Sequence, residues 1–273
     1  MPDSLDSLVK RIKSLEIQGA KQIAVESLKF LRTLAKKKGF GKDFDSAMKK
    51  LEKARPTAVV LHNCLEIIRK DKRTETINKL LRQLSQSTKE IAKKGSRLIK
   101  NNSVIMTHCH SGEALSVIKQ AWKEGKKITV YATETEPKEQ GIVTAKELAR
   151  LKIPVILIVD SAIEFFIKDV DMIIVGSDAI RKEGIINKIG TYPLAVVARE
   201  HKKPFYVVGN TLKLDRRKKI TIEERSPHEI YDERMKTLKI RNPAFDVTPW
   251  KYINRIVTEK GIMTPGNVKK MLK

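Results

Sequence analysis

Apolar residues in the first hundred positions recur at three- and four-residue intervals, the spacing of one helical face. Leu5, Leu8, Ile12 and Leu15 set such a stripe over residues 4–17, and it repeats over 23–34, 44–54, 58–69 and 75–98. Gly39, Gly41 and Pro56 supply the breaks, being residues that helix interiors disfavour. From Ser103 the period changes. The segments VIMT, ITVYAT, IPVILIVD, DMIIVG and PFYVVGN are short consecutive apolar runs rich in Val and Ile, as befits strands covered on both faces. Most intervals between them have room for a crossover helix, so the pattern reads βαβαβ. It predicts an α/β fold with a doubly wound, Rossmann-like parallel sheet. The expected division is an all-helical domain over 1–98 and a Rossmann-like domain over 99–273.

Charge adds a constraint that the pattern does not contain. The 56 Lys and Arg against 32 Asp and Glu leave a formal charge of +24, which attracts polyanions without choosing among nucleic acid, acidic protein and phosphorylated small molecules. A Lys- and Glu-rich surface is also the composition of hyperthermophile proteins. The basic runs at 36–38 and 216–219 have no interleaved aromatics and read as solvated faces rather than RNA-binding elements. Cys64 and Cys109 are too few for a disulfide framework, so a reducing, cytoplasmic setting is expected. No run approaches the roughly 20 apolar residues of a membrane span, and no membrane partner is expected.

In open parallel sheets, ligands bind beyond the carboxyl ends of the strands. The loops there are Thr107-His108-Cys109-His110-Ser111-Gly112, Thr133-Glu134-Thr135-Glu136-Pro137, Asp160-Ser161, Gly176-Ser177-Asp178 and Gly209-Asn210-Thr211. Cys109 stands before a helix expected to start near Ser111, where backbone amides favour an anion and would lower a thiol pKa. It reads either as a proton-transfer or nucleophilic group or as a small residue packed in a tight turn. Asp178 reads either as its acid–base counterpart across the crevice or as the cap of a following helix. Asn187 and Lys188 suit a phosphate or sugar hydroxyl. His108 and His110 flank Cys109, but neighbours at a strand end point to opposite faces, so no metal site and no cofactor are expected.

These segments resemble a known superfamily. The string VGSDAIRKEGIINKIGTYPLA at 175–195 is similar to a signature of 5-methylthioribose-1-phosphate isomerases, archaeal ribose-1,5-bisphosphate isomerases and the alpha, beta and delta regulatory subunits of translation initiation factor 2B. RPTAVVLHN at 55–63, THCHSGEA at 107–114, the loop at 134–141 and RNPAFDVTPWKYINRIVTEKGIMTP at 241–265 match in the same order. The resemblance implies a helical amino-terminal domain on a Rossmann-like domain, with dimers or higher oligomers formed through the latter. In the isomerase branch it implies that Cys109 and Asp178 shuttle a proton between C1 and C2 of an aldose 1-phosphate. Gly19, Ala20, Arg55, Gln140, Asn187 and Lys188 resemble the substrate-binding positions.

Two departures from the isomerase pattern set the expectation. Gln18-Gly19-Ala20 stands where the isomerases have Arg-Gly-Ala, and Glu134-Thr135-Glu136-Pro137 stands where they have Glu-Thr-Arg-Pro. Each replaces a cation near the expected phosphate, at about 1.5–3 kcal/mol per lost charged hydrogen bond. The leading expectation is therefore an archaeal initiation factor 2B-like regulatory subunit. It would dock on translation initiation factor two through its alpha subunit, influence GDP/GTP exchange and retain a pocket for a phosphorylated sugar or nucleotide. The alternative is an isomerase of ribose 1,5-bisphosphate or 5-methylthioribose 1-phosphate that uses Cys109 and Asp178.

Overall fold

The computed structural model describes residues 4–14, 16–17, 19–219, 222–233 and 235–272 of the chain. Leu15 of the first apolar stripe and Gln18 of the expected phosphate clamp lie outside the described residues. Two compact units are present, and they meet in sequence between Ser87 and Thr88. No helix of the described residues is long and apolar enough to cross a membrane.

The first unit is helical. Helix α1 (Leu5–Lys13) starts where the Ser4 hydroxyl accepts from the Ser7 amide at 3.1 Å, a side-chain cap for an otherwise unpaired donor. It stops short of the predicted stripe, at Ser14. Helix α2 (Ala20–Lys38) ends at Gly39 and α3 (Lys42–Ala54) begins after Gly41. Helix α4 (Val59–Lys70) follows the Pro56 break, and α5 (Thr74–Gly95) runs on into the second unit. The apolar stripes are the buried ones: Leu8 and Ile12, then Ile23, Leu28 and Leu31, then Phe44, Met48 and Leu51, then Leu61, Leu65 and Ile68.

The second unit holds the predicted parallel strands β1 (Ser103–Thr107), β2 (Ile128–Thr133), β3 (Val155–Ile158), β4 (Met172–Val175) and, after two further strands, β7 (Phe205–Val208). Helices α6 (Gly112–Lys123), α7 (Gln140–Arg150), α8 (Ile163–Phe166) and α9 (Thr191–Glu200) lie between strands, and α10 (Pro265–Met271) closes the chain. Successive residues of one strand pack on opposite faces: Ile105, Ile174 and Val208 join one core, while Met106, Ile173 and Val207 join the other. That two-sided burial is why these strands read as unbroken apolar runs rather than as alternation.

Five strands do not appear in the sequence pattern. β5 (Ala179–Ile180), β6 (Gly184–Lys188) and β8 (Phe245–Pro249) form a separate antiparallel sheet. β9 (Arg255–Thr258) joins the main sheet in parallel beside β7, and β10 (Gly261–Met263) adds an antiparallel edge. The main sheet runs β10-β9-β7-β4-β1-β2-β3, so the chain leaves β1 toward β2 and β3 and then returns to β4 on the other side of β1. The switch point of this sheet lies between β1 and β4.

Candidate functional site

The loops that leave the two switch-point strands carry Cys109, after β1, and Asp178, after β4. Cys109 has φ +69° and Thr135, facing it from the β2–α7 loop, has φ +65°. Left-handed backbone is uncommon for residues other than glycine and is costliest for a β-branched one, so the surroundings must impose it. The Cys109 amide donates to Thr135 Oγ1 at 2.9 Å, and Thr144 Oγ1 donates to the Cys109 carbonyl at 3.0 Å. The Asp160 carboxylate accepts the amides of Thr135 and Glu136 at 2.9 and 2.8 Å, which pins the opposing turn. The Cys109 thiol itself donates to Gln140 Oε1 at 3.5 Å. Gly176 lies so close behind that a Cβ there would meet Ser111 Oγ at 2.2 Å.

The thiol is not activated as the helix-end argument predicts. Burial, and then the negative charge of Asp178, push the Cys109 pKa up to about 12, against a smaller lowering by Lys188. The Ser111 hydroxyl takes the Ala114 amide as the cap of α6, while Cys109 is half-buried, and the desolvation of its thiol favours the neutral form. Cys109 is a protonated acid at neutral pH. Asp178 does not cap a helix: its amide donates to the Ile186 carbonyl at 2.8 Å, and β5 follows directly.

Asn187 and Lys188 end the buried strand β6. Asn187 Nδ2 donates to Thr191 Oγ1 at 2.9 Å. Lys188 is 6% exposed, and among the described residues no carboxylate lies within ion-pair distance of its ammonium. Burial lowers its pKa most, while Cys109 and Asp178 both act to raise it. A desolvated ammonium beside a thiol and a carboxylate is placed to receive an anionic group. Lys213, which the sequence reading missed, is likewise buried, and it pairs with the buried Glu113 at the start of α6. Asn210 Nδ2 donates to the same carboxylate at 2.7 Å. Only Asn210 of that trio was visible in the sequence as a strand-end loop residue.

Gly19 and Ala20 start α2, and Arg55 ends α3, where its carbonyl accepts the Ala58 amide at 3.0 Å. All three belong to the first unit. His108 and His110 point apart, to Thr133 and Ile189 in the first case and to Thr144 in the second. Among the described residues the one grouping with metal-ligand spacing is Glu52, His62 and Glu66 in the first unit. Arg69 is paired with both of its carboxylates.

Comparison with known proteins gives this geometry a context. The model of the Initiation factor 2 subunit family matches residues 16–265. The chain belongs to this family. A ribose 1,5-bisphosphate isomerase of Methanocaldococcus jannaschii is 40% identical, and the alignment covers 96% of this chain and 92% of the relative. A methylthioribose-1-phosphate isomerase of Acetivibrio thermocellus is 38% identical, with 95% and 89% covered. Among solved structures, the translation initiation factor eIF-2B of Pyrococcus horikoshii OT3 superposes with a TM-score of 0.87 at 30% identity, covering 98% of this chain and 99% of that one.

Within the family, these relatives overturn the expectation of a translation initiation factor, because curated relatives at 38–40% identity are named isomerases. The expectation rested on lost cations. Glu136, however, is an exposed member of an acidic loop, its pKa raised by partial burial and by Glu134, Glu139 and Asp160. The cation that bears on Cys109 is Lys188, which this chain keeps.

Proposed function

We propose that this protein is a sugar-phosphate isomerase that converts an aldose 1-phosphate, ribose 1,5-bisphosphate first among candidates, to the ketose phosphate. One observation carries the reading: Cys109, held as a protonated thiol at the switch point, shares its surroundings with the charges of Asp178 and Lys188. The many family relatives named ribose 1,5-bisphosphate isomerase support the choice of substrate.

Burial and the charge of Asp178 keep the Cys109 thiol protonated, which assigns the acid role to Cys109 and leaves the base role to Asp178. Asp178, as carboxylate, takes the proton from C2. The electrons of that C–H bond form C1=C2 as the bond from C1 to the ring oxygen breaks, and the Cys109 thiol gives the ring oxygen its proton. Asp178 then returns its proton to C1 while the C2 hydroxyl becomes a carbonyl, and the hydroxyl proton restores the thiol. Lys188 offsets charge on the enolic oxygen or the adjacent phosphate, and Asn187 and Gln140 orient the hydroxyls.

The β3 edge of the main sheet presents Ile156, Leu157 and Val159, with Phe165 71% exposed beyond it. An apolar edge of this kind supports association with further copies of the chain, and an isomerase has no requirement for translation initiation factor two as a partner.

Purified protein incubated with ribose 1,5-bisphosphate, and separately with 5-methylthioribose 1-phosphate, tests the reading through ketose formation. Turnover that disappears in Cys109→Ser and Asp178→Asn is the expected result. Wild-type protein inert toward both substrates would remove the isomerase assignment.

A further inference from the structure

His108 is a fully buried titratable group to which the chemistry above gives no role, and it sits at the crossing of the two segments that make the site. Its Nε2 lies 2.7 Å from the carbonyl oxygen of Ile189, the residue after Lys188, and its Nδ1 lies 2.7 Å from Thr133 Oγ1. A carbonyl only accepts, so Nε2 carries the hydrogen. Burial lowers the pKa of the ring and keeps it neutral, so Nδ1 accepts from the Thr133 hydroxyl.

The chain of donors then has one direction. The Cys109 amide donates to Thr135 Oγ1 at 2.9 Å, the Thr135 hydroxyl to Thr133 Oγ1 at 3.2 Å, the Thr133 hydroxyl to His108 Nδ1, and His108 Nε2–H to Ile189 O. The Thr135 hydroxyl has a second acceptor in the Thr133 carbonyl, also at 3.2 Å. Thr133 and Thr135 are both 0% exposed, so no water competes for these bonds. One end of the chain fixes a cysteine whose backbone is left-handed, and the other fixes the turn that follows Asn187 and Lys188. The ring also fills the space beside Gly190, where a Cβ would lie 2.8 Å from its Cε1.

We propose that His108 is the positioning residue of this site, a buried clasp that ties the backbone of Cys109 to the strand end bearing Asn187 and Lys188. The inference rests on the isomerase reading for its effect on turnover, and on geometry alone for its effect on Cys109. A clasp that sets the distance between an acid and the anion-binding lysine affects the chemical step more than ground-state binding.

The test compares wild type with His108→Phe, which keeps a ring of similar size but neither bond, with His108→Gln, whose amide can still donate to Ile189 O, and with Thr135→Val. Two readouts are taken: kcat and KM for ribose 1,5-bisphosphate, and the rate of carbamidomethylation of Cys109 at pH 9, read by peptide mass. His108→Phe and Thr135→Val are expected to lower kcat by about 100-fold with KM changed less than about threefold. They should also speed alkylation of Cys109 by about tenfold as its backbone is released. His108→Gln should recover part of both. Should His108→Phe not fold, Thr135→Val decides alone. Variants that melt as wild type does and hold both readouts within about twofold overturn the clasp. Absence of wild-type turnover would instead remove the isomerase reading and leave the alkylation rates to decide this one.

Discussion

The thiol of Cys109 and the side-chain oxygen of Gln140 are 3.5 Å apart, with the thiol as donor. A donor in that position is a protonated sulfur, in keeping with a pKa pushed to about 12 by burial and Asp178. Alkylation of Cys109 by iodoacetamide should therefore run roughly 10³-fold slower than for a free cysteine at pH 8, and rise about tenfold per pH unit up to about pH 11. A rate comparable to that of free cysteine would show a thiolate, and would transfer the acid role away from this residue.

Lys188 makes the opposite trade. Its folded-state pKa is lowered, chiefly by burial, so the folded state holds that proton less tightly than the unfolded chain does. Burial of the charged form thus costs stability at neutral pH, and the cost fades as the pH rises toward the unfolded lysine value. Lys188→Met is expected to melt at or above the wild-type temperature near pH 7 while kcat/KM falls by about 10²–10³. A variant that loses stability together with activity would mark Lys188 as structural.

How much of this was legible in the residues depended on the kind of burial. The helical stripes of the first unit and the five parallel strands announce themselves because each buries a periodic or continuous apolar surface. β5 and β6 were not legible: Ala179–Ile180 is too short to show a period, and the β6 run ends in the polar pair Asn187 and Lys188, both buried against expectation for their type. The location of Cys109 and Asp178 at strand ends followed from the pattern. The direction of the thiol shift did not, because it turns on desolvation and on the charge of Asp178, in a turn held by Thr135, Gln140 and Thr144, residues that only the fold brings to Cys109. Lys213 and Glu113, 100 positions apart, pair for the same reason.

That Glu113–Lys213 pair is buried on both sides. Breaking a buried pair from one side strands a charge, at about 3–5 kcal/mol, whereas removing both partners is far less costly. Lys213→Met should lower the denaturation midpoint sharply, and Glu113→Gln combined with Lys213→Met should recover much of the loss. A double variant no more stable than the single one would show that the pair is not the source of the effect.

Gly190 has φ +99°, and a Cβ there would meet the His108 ring at 2.8–2.9 Å. Gly190→Ala combines left-handed strain with overpacking against a ring whose own bonds fix its place, so the expected cost is about 2–3 kcal/mol. Urea denaturation measures it. An alanine accepted within about 0.5 kcal/mol would mean that the His108 ring moves aside, and with it the bond to Ile189.

Asp246 offers a signature that depends on pH. Its Oδ2 accepts the amides of Gly190 and Tyr192, both at 2.9 Å, while its Oδ1 is buried without a partner. Burial outweighs those amides and raises the pKa from 3.8 to about 6. The folded state binds this proton more tightly than the unfolded chain, so its stabilisation is complete below about pH 4 and is lost as the pH rises through about 6. The shift corresponds to an upper bound of about 3 kcal/mol. Asp246→Asn keeps an amide oxygen for the two backbone donors and has nothing to titrate. The difference in unfolding free energy between wild type and Asp246→Asn, followed from pH 4 to pH 7, should therefore move against the wild type as pH rises, with its midpoint between those pKa values. A flat difference across that range would place the charge on Asp246 throughout, held by the amino terminus of α9.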